Sequence, residues 1–552
     1  MHDDYHGTRI DDPYRWLEDL DGKATGDWVN AQTEFSRSVF ERLPGRERVK
    51  SRLSELWNYS RTELPWRESG RIYFYENSGN EQQSSFFVID AQGEAPRRLL
   101  NPQDISPDGS AAVENLSISP DGRWLCYGIS PGGSDVGETH VRDVTTGKDL
   151  TDVIRRSGSE ACWTLDSAGF FYVYRPAPPD GMPKGAASLT KQIRYHRFGS
   201  PSEKDPVIHA WPGARWLYSM LSDDGRRLIV VAEEGAISWM YAIDLGDPKH
   251  PEVTGGLTPL LAGVKANHTP MGTVGDTLYV FTDLEAPRRR IIALDLTRGG
   301  KAEPLAVIPE AAHVLNRATV AGNLLAVHYL EDVKSRLLLF TLAGEAVGEV
   351  TLPGIGALGW ALNGRHSVSE LWYTFTSFLS PSTVYRYDFA TRTSVPFRPP
   401  RLPFDPTPYE TRQVFYTSKD GTRIPMFITA RKSLEQNGAN PVFLTAYGGY
   451  GAITAPRYRA DLPLWLERGG IYAVANLRGG GEYGEEWHRA GSLEHKQNSF
   501  DDFIAAAEYL VEDRYTTPEK IAIYGHSNGG LLIGAMITQR PELFGVALAD
   551  AG

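Results

Sequence analysis

Short runs of alternating aromatic and β-branched residues recur between about residue 65 and residue 395 of the chain. Alternation with a period of two is typical of strands with a buried face. The runs follow turn signals and return after about 50 residues, which is close to the period of propeller blades. Seven copies predict a seven-bladed β-propeller, and their even spacing argues against a pair of β-sandwiches. The copies begin near Gly70, Asp121, Ala168, Asp224, Gly275, Gly322 and Ser369.

The segments on either side of the repeat have a different pattern. Apolar residues spaced by three and four positions predict helices over residues 27–43 and 46–59. A proline-rich stretch over 396–406 is typical of a linker between domains. We therefore expect three parts, which are an N-terminal helical segment (1–64), the propeller (65–400) and a C-terminal domain (401–552).

The C-terminal part shows the order of a doubly wound, mostly parallel sheet. A hairpin around Asp420 precedes short apolar runs that predict buried strands over 441–446, 470–476 and 521–524. A helix is predicted over 499–512, with Ser499 and Asp502 as a capping box. This pattern predicts an α/β-hydrolase domain that is incomplete in this sequence.

The last predicted strand runs directly into Gly525-His526-Ser527-Asn528-Gly529, and a helical pattern follows. Strand, glycine-flanked serine and helix form the nucleophile elbow of α/β-hydrolases, which lifts the serine oxygen clear of the sheet. Ser527 is therefore the candidate nucleophile, and the backbone amide of Asn528 is a candidate oxyanion donor.

A serine nucleophile needs a histidine base and a carboxylate, which follow it along the chain in this fold. Only 25 residues follow Ser527, and none is histidine. Asp550 stands at a possible strand end but is better interpreted as a loop residue, and His488 and His495 as polar loop residues. His526 should point away from the elbow. We expect the sequence to be the front part of a longer enzyme, inactive by itself.

Composition narrows the possible partners. A net charge of −12 without a basic run argues against nucleic acid, and no apolar stretch is long enough to span a membrane. HExxH and CxxC motifs are absent, so we expect neither metal nor cofactor. Cys126 and Cys162 are interpreted as buried thiols, which fits a reducing compartment. We expect a cytoplasmic monomer, with a periplasmic location as the alternative.

Five ordered motifs resemble those of the prolyl oligopeptidase family over essentially the whole chain. The resemblance implies a serine endopeptidase that cleaves short peptides on the carboxyl side of proline through an acyl-enzyme. It also implies an N-terminal segment that packs on the hydrolase domain and a propeller that acts as a size filter. The motifs are residues 4–7 (DYHG) with 12–19 (DPYRWLED), 447–450 (YGGY), 476–484 (NLRGGGEYG), 496–503 (KQNSFDDF) and 527–530 (SNGG).

The resemblance also implies roles for individual residues. Ser527 would be the acylating nucleophile, with the Asn528 amide and the Tyr447 hydroxyl as oxyanion donors. Tyr450 stands where the family usually has a phenylalanine that lines the proline pocket. A second group of residues is interpreted as scaffold of the second glycine-rich loop, namely Arg478, Glu482 and Tyr483.

Two other functions stay open at this point. An enzyme similar to oligopeptidase B would cleave after arginine or lysine, although Asn528 and the YGGY motif favour proline. A propeller that only binds peptides or proteins, without catalysis, is the alternative from another class, because a fold does not determine a function.

Overall fold

The computed structural model describes residues 2–91, 93–158, 161–177, 190–235, 237–263 and 265–552. The chain divides into two compact units, Met1–Trp57 and Asn58–Gly552. Among the described residues, no helix is both long and apolar enough to cross a membrane. Within the same ranges, no cluster of three or more histidine, cysteine, aspartate or glutamate side chains is arranged to hold a metal ion.

The first unit contains an antiparallel hairpin and two helices. The two helices confirm the predicted helical pattern of this segment. Trp16 and Trp28 pack edge to face with ring centroids 6.5 Å apart, and the hydroxyl of Thr25 donates to the Trp16 carbonyl over 3.0 Å. The elements are β1 (His2–Tyr5), β2 (Thr8–Asp11), a 3₁₀ turn (Arg15–Glu18), α1 (Lys23–Arg42) and α2 (Arg46–Trp57).

The second unit begins with the sheets of a β-propeller. Its first sheet has five strands and is followed by the short helix α3 (Pro102–Ile105). The second sheet has eight strands. The strands of the first sheet are β3 (Arg61–Thr62), β4 (Trp66–Glu68), β5 (Arg71–Asn77), β6 (Ser85–Ile89) and β7 (Arg97–Leu100); those of the second are β8 (Ala111–Ile118), β9 (Trp124–Pro131), β10 (Gly137–Asp143), β11 (Asp149–Ser157), β12 (Cys162–Trp163), β13 (Gly169–Tyr174), β14 (Thr190–Arg197) and β15 (Val207–Pro212).

Four sheets of four antiparallel strands each complete the propeller. All seven predicted repeats lie in strands, which are β5, β9, β13, β17, β21, β25 and β29. The strands of these four sheets are β16 (Trp216–Leu221), β17 (Arg227–Glu234), β18 (Ile237–Asp244) and β19 (Leu257–Leu261); β20 (His268–Val274), β21 (Thr277–Thr282), β22 (Arg290–Asp295) and β23 (Leu305–Ile308); β24 (Val314–Ala321), β25 (Leu324–Glu331), β26 (Lys334–Thr341) and β27 (Ala346–Val350); and β28 (Ala357–Gly364), β29 (Glu370–Thr376), β30 (Thr383–Asp388) and β31 (Thr393–Phe397).

The apolar runs of the repeat are buried on both faces because each sheet packs between two others. In β17, Leu228 and Val230 pack into a core with β13 and β14, whereas Ile229 and Val231 pack into a core with β21 and β22. Alternate side chains therefore serve opposite faces, as the two-residue period of a strand requires.

Among the residues that the structure describes, the first and last propeller sheets share no strand pairing, and they meet through side chains. Arg67 forms an ion pair with Glu370 over 2.9 Å, and Arg365 forms one with Glu68 over 2.5 Å. The Asn363 amide also donates to the Pro65 carbonyl over 2.8 Å. The ring therefore closes through contacts between residues about 300 positions apart, 303 for Arg67 and Glu370.

The remaining strands form a six-stranded mixed sheet in the order β32-β33-β35-β34-β36-β37. The last four strands in this order run parallel, and β33 pairs with its neighbours in antiparallel fashion. A partial hydrolase domain thus accompanies the propeller. Its elements are β32 (Tyr409–Thr417), β33 (Arg423–Arg431), β34 (Val442–Thr445), α4 (Leu462–Glu467), β35 (Ile471–Ala475), α5 (Glu485–Arg489), α6 (Lys496–Glu512), β36 (Ile521–His526), α7 (Asn528–Gln539) and β37 (Val546–Asp550).

The predicted capping box of helix α6 is wrong. The helix begins at Lys496, so Ser499 lies inside it. The Ser499 hydroxyl donates to the carbonyl of Arg478 over 2.6 Å, and Asp502 binds the Arg478 guanidinium. Both side chains therefore serve tertiary contacts instead of a helix terminus.

Candidate active site

Ser527 lies at the bend between strand β36 and helix α7. Its backbone has φ 56° and ψ −121°, a strained conformation for a residue with a side chain. A Cβ added to Gly525 would overlap the carbonyl oxygen of Gly529, so strand and helix can approach only if residue 525 is glycine. The bend confirms the predicted strand, turn and helix.

The N-terminus of helix α7 presents backbone amides beside Ser527. The amide of Gly530 donates to the Ser527 carbonyl over 2.7 Å, whereas the Asn528 amide makes no hydrogen bond to a described residue. Helix amides and the helix dipole both favour negative charge at this position. The geometry therefore offers an anion a place next to Ser527.

The loop after strand β34 packs against the same helix terminus. The side-chain amide of Asn528 donates to the Tyr447 carbonyl over 2.5 Å, and a Cβ on Gly449 would lie 2.5 Å from the Asn528 Cγ. Tyr447 is half-buried, and its hydroxyl makes no hydrogen bond to a residue that the structure describes. The structure thus brings Ser527, Asn528 and Tyr447 together.

Tyr450 ends this first glycine-rich loop on the surface. Its backbone φ is 54°, and its side chain is 83% exposed. An aromatic ring this exposed is available to pack against another molecule. The structure places it three residues from Tyr447, without a hydrogen bond from its hydroxyl to the described part of the chain.

A second glycine-rich loop, residues 476–484, supports the first. The Gly451 amide donates to the Gly479 carbonyl over 3.0 Å, and the ammonium of Lys496 donates to the Gly448 carbonyl over 2.6 Å. A Cβ on Gly479 would lie 2.5 Å from the Gly448 oxygen. The two loops are therefore in backbone contact, and a shift of one displaces the other.

A buried ion pair anchors the second loop. The Arg478 guanidinium donates to Asp502 over 2.6 Å and also binds Asp420 and the Ser418 hydroxyl. These hydrogen bonds hold the pKa of Asp420 far below its usual range. The sequence indicates that Arg478 is scaffold but not which partners it has, because they come from two distant segments, the turn at residues 418–420 and helix α6.

Glu482 is a buried carboxyl group in the second loop. Its Oε1 accepts hydrogen bonds from the Thr454 amide over 3.0 Å and from the Asn476 side chain over 3.4 Å. Its Oε2 has no hydrogen-bond partner among the described residues. Burial raises the pKa of Glu482 from its ordinary 4.5 to about 7, so this group titrates near neutral pH.

The second loop also touches the propeller. The Tyr483 hydroxyl donates to the Asp332 carboxylate over 2.8 Å, and Gln413 donates to the carbonyl of the same residue over 2.5 Å. Arg288 and Glu486 form an ion pair over 3.6 Å. The turns after β21 and β25 therefore lie at the end of the propeller that faces the second glycine-rich loop and helix α5.

The histidines near the elbow bind other groups. His526 is exposed, and its Nδ1 lies 3.0 Å from the Asp550 carboxylate. His488 lies in helix α5 with Nδ1 2.8 Å from the Gly479 carbonyl, and His495 ends a 3₁₀ turn (Leu493–His495). The interpretation of His488 and His495 as loop residues is therefore wrong.

Asp550 is the last residue of strand β37, so its interpretation as a loop residue is wrong as well. Its carboxylate accepts hydrogen bonds from His526 and from the Tyr524 hydroxyl, which lower its pKa. The Ser527 hydroxyl makes no hydrogen bond to any residue that the structure describes. The side chains of His526 and Asp550 thus pair with each other rather than with the serine hydroxyl, while the Ser527 backbone amide donates to the Asp550 carbonyl over 2.8 Å.

A serine at a strained strand–helix bend, in a chain whose preceding sheets form a propeller, defines a serine hydrolase of the α/β class with an N-terminal β-propeller. Residues 1–400 match the model of the prolyl oligopeptidase N-terminal β-propeller domain, and residues 456–552 match the model of the prolyl oligopeptidase family. The chain belongs to the prolyl oligopeptidase family of serine peptidases.

Named relatives agree with this assignment. A prolyl endopeptidase of Elizabethkingia miricola is 34% identical over an alignment of 554 positions, which covers 100% of this chain and 77% of the relative. A structure from a study of two prolyl endopeptidases has a TM-score of 0.89 and 37% identity, and covers 99% of this chain and 80% of that one. Prolyl oligopeptidase B from Galerina marginata, bound to a 25-residue macrocyclization substrate, has a TM-score of 0.88 at 28% identity, with 98% and 79% covered.

Proposed function

We propose that the protein is an endopeptidase that hydrolyses short peptides on the carboxyl side of proline. The observation that carries the proposal is the arrangement of Ser527, the Asn528 amide and Tyr447 at one bend of the chain. The relatives named prolyl endopeptidase support proline as the residue before the cleaved bond. We further propose a cytoplasmic monomer that acts without nucleic acid, membrane, metal or cofactor; the net charge of −12 supports the exclusion of nucleic acid.

In the proposed mechanism, the Ser527 oxygen attacks the carbonyl carbon of the prolyl residue. The oxyanion that forms accepts hydrogen bonds from the Asn528 amide and the Tyr447 hydroxyl, which stabilises the transition state. The peptide C–N bond then breaks, the amine leaves with a proton, and water hydrolyses the prolyl ester on Ser527. Tyr450 would pack its exposed ring against the pyrrolidine of the substrate.

The serine proton must pass to a base during this reaction. The described residues place no histidine in hydrogen-bond contact with Ser527, since His526 binds Asp550. The proposed activity therefore depends on a base and an acid that the described residues do not bring to the serine. The tests below therefore use the protein as it occurs naturally, called the natural protein.

We also propose the organisation behind this activity. An N-terminal segment (1–64), a propeller (65–400) and a catalytic domain (401–552) account for the change in sheet type along the chain. The eight-stranded sheet is proposed to be two blades, because β11 and β13 pair through a single residue pair, Ser157 and Tyr174. Seven blades would then form a ring over the serine that admits flexible peptides and excludes folded proteins.

A fluorophosphonate probe tests the nucleophile. We expect the folded natural protein to be labelled, and we expect Ser527→Ala to remove the label without a change in folding. Exposed Ser134 provides a matched control, since Ser134→Ala removes a hydroxyl far from the elbow in sequence and should keep full labelling. No labelling of the folded natural protein would contradict the enzyme and favour a propeller that only binds.

Chromogenic substrates with proline or arginine before the cleaved bond test the specificity. We expect kcat/KM to be higher for proline. A preference for arginine would replace the proposal with an activity similar to that of oligopeptidase B.

A further inference from the structure

The innermost strands of the last two propeller sheets carry side chains that the proposed mechanism does not use. First strands of neighbouring sheets contact one another, as β24 and β28 do, so these strands line the centre of the propeller. Both strands contain bulges, which turn residues out of the pairing pattern. Between Leu358 and Leu362, three residues face the single residue Thr374 of the partner strand. Trp360 is the middle one of the three.

Trp360 is 85% exposed, more than any other tryptophan that the structure describes. Its carbonyl accepts a hydrogen bond from Nε of Arg317 over 3.0 Å, and the Arg317 guanidinium lies 5.8 Å from the centre of its ring. Arg317 follows the bulge of β24 at Asn316. The two bulges thus bring a cation and an open aromatic face together on the inner surface of the propeller.

A second arginine lies beside this pair. Arg289 ends the turn between β21 and β22, with its guanidinium 5.0 Å from the centre of the Phe281 ring. The preceding residue, Arg288, accepts a hydrogen bond at its carbonyl from the Leu315 amide of β24 over 2.9 Å. This hydrogen bond places Arg289 beside the first residues of β24, close to Arg317. The same turn contacts Glu486 of helix α5, so the arginines lie at the end of the propeller that faces this helix and the second glycine-rich loop.

Neither arginine has a carboxylate within ion-pair distance among the described residues. The two arginines next to Arg289 in sequence do have carboxylate partners, since Arg288 pairs with Glu486 and Arg290 pairs with Glu285. Burial lowers the pKa of both Arg289 and Arg317, and the charge of Arg317 lowers that of Arg289 further against the opposing effect of Asp283. Two half-buried positive charges without a matching anion are costly, and an anion between them would relieve that cost.

We propose that Arg289, Arg317 and Trp360 form a subsite that binds a carboxylate of the peptide substrate. The inference rests on the proposed peptidase function. A carboxylate matches the planar fork of a guanidinium, and the side chain next to it would pack on the Trp360 ring. The carboxylate is either the C-terminus of the peptide or an acidic side chain, and both present the same chemistry.

Fluorescence anisotropy on the Ser527→Ala natural protein tests the subsite without cleavage. The probe is a short fluorescein-labelled peptide with one proline, prepared with a free C-terminal carboxylate and as the C-terminal amide. We expect the free acid to bind about tenfold more tightly, as for a charge-assisted hydrogen bond that is lost. Arg289→Gln and Arg317→Gln should each remove most of this difference, and Trp360→Ala should weaken both peptides.

Arg336→Gln is the matched control, since it removes one propeller charge whose partner, Glu349, lies 2.6 Å away. It should leave the preference for the acid unchanged. Arg317→Lys keeps the charge but loses the guanidinium fork. Thermal unfolding of each variant shows whether its fold is intact. Arg289 makes no side-chain hydrogen bond to a described residue, so its variant keeps the subsite testable if Arg317→Gln fails to fold.

A third peptide, amidated at its C-terminus but containing a glutamate, separates the two sources of the carboxylate. If it binds like the free acid, the subsite accepts an acidic side chain; if it binds like the plain amide, the C-terminus is the ligand. Equal binding of all three peptides overturns the subsite. The subsite is also overturned if Arg336→Gln loses as much of the preference for the free acid as Arg289→Gln and Arg317→Gln do. Cleavage of an uncharged prolyl substrate tests the proposed function separately, so either proposal can fail while the other stands.

Discussion

Gly525 and Gly275 each lie at or next to a sharp turn of the chain, but the surroundings of the two glycines differ. At Gly525, in the catalytic part, the backbone conformation is open to any residue, and a Cβ would overlap the Gly529 oxygen. At Gly275, in the propeller turn between β20 and β21, no atom lies within 4 Å of a Cβ, but φ is 56°. Close packing requires glycine at position 525, whereas the backbone conformation favours glycine at position 275. Substitution at the two positions should therefore change the free energy of unfolding by different amounts.

The largest effect is expected for Gly525→Ala. Backbone atoms oppose the added methyl group, so the strand and the helix must separate, and we expect a loss of about 4 kcal/mol or more in the free energy of unfolding. Labelling of Ser527 by a fluorophosphonate should be lost too. Gly534→Ala is the control, because Gly534 lies in the same helix α7 with open space around it. A normal stability of Gly525→Ala in a denaturant titration would contradict the close approach of strand and helix at this bend.

Tyr447→Phe tests whether the tight bend serves an oxyanion. Loss of one donor should lower kcat for a prolyl substrate by about 10²- to 10³-fold, with little change in stability. Tyr450→Phe removes a hydroxyl from the same loop and should change kcat little, because the ring can still pack on proline. Equal effects of the two variants in steady-state kinetics would remove the distinction between them.

Glu482→Gln tests the pH dependence of the second glycine-rich loop. Its pKa is about 7 in the folded chain, above the ordinary value of 4.5, so the unfolded chain loses this proton first as pH rises. Stability therefore decreases from about pH 4.5 to about pH 7, by up to about 3 kcal/mol. The variant should lack this decrease and be the more stable form at pH 8. Glu485 is exposed, so Glu485→Gln should leave the pH profile of chemical denaturation unchanged. The same profile for the unaltered protein, Glu482→Gln and Glu485→Gln would contradict the expectation.

Gly275→Ala should have the smallest effect. The methyl group meets no neighbour, and only the left-handed backbone opposes it, at about 1 kcal/mol. Gly275→Asn should cost less, since asparagine tolerates this conformation. Thermal unfolding measures both, and a loss as large as that of Gly525→Ala would erase the contrast between the two turns.

The features that the sequence predicts well are periodic or confined to one short segment. The seven repeats are all strands, because alternation of apolar residues along one strand requires no knowledge of its neighbours. The bend at Ser527 can also be predicted without knowledge of distant segments, because its motif consists of five consecutive residues. In each case, local spacing carries the structural information.

Features that depend on distant segments could not be predicted. Ser499 and Asp502 match the local pattern of a helix start. In the structure, both form hydrogen bonds with Arg478, which lies in the second glycine-rich loop. The titration of Glu482 depends on its burial beside Asn476 and Thr454. Trp360 and Arg317 meet because bulges in two strands coincide, and no periodic pattern reports a bulge.

The seam between the first and last propeller sheets has a consequence for synthesis on the ribosome. Each sheet is contiguous in sequence, so it can form soon after its own strands emerge. The partners of Arg67 and Glu68 are Glu370 and Arg365, which are translated about 300 residues later. The ring therefore cannot close before Arg365 and Glu370 have emerged, and these residues precede the first strand of the hydrolase sheet, which begins at Tyr409.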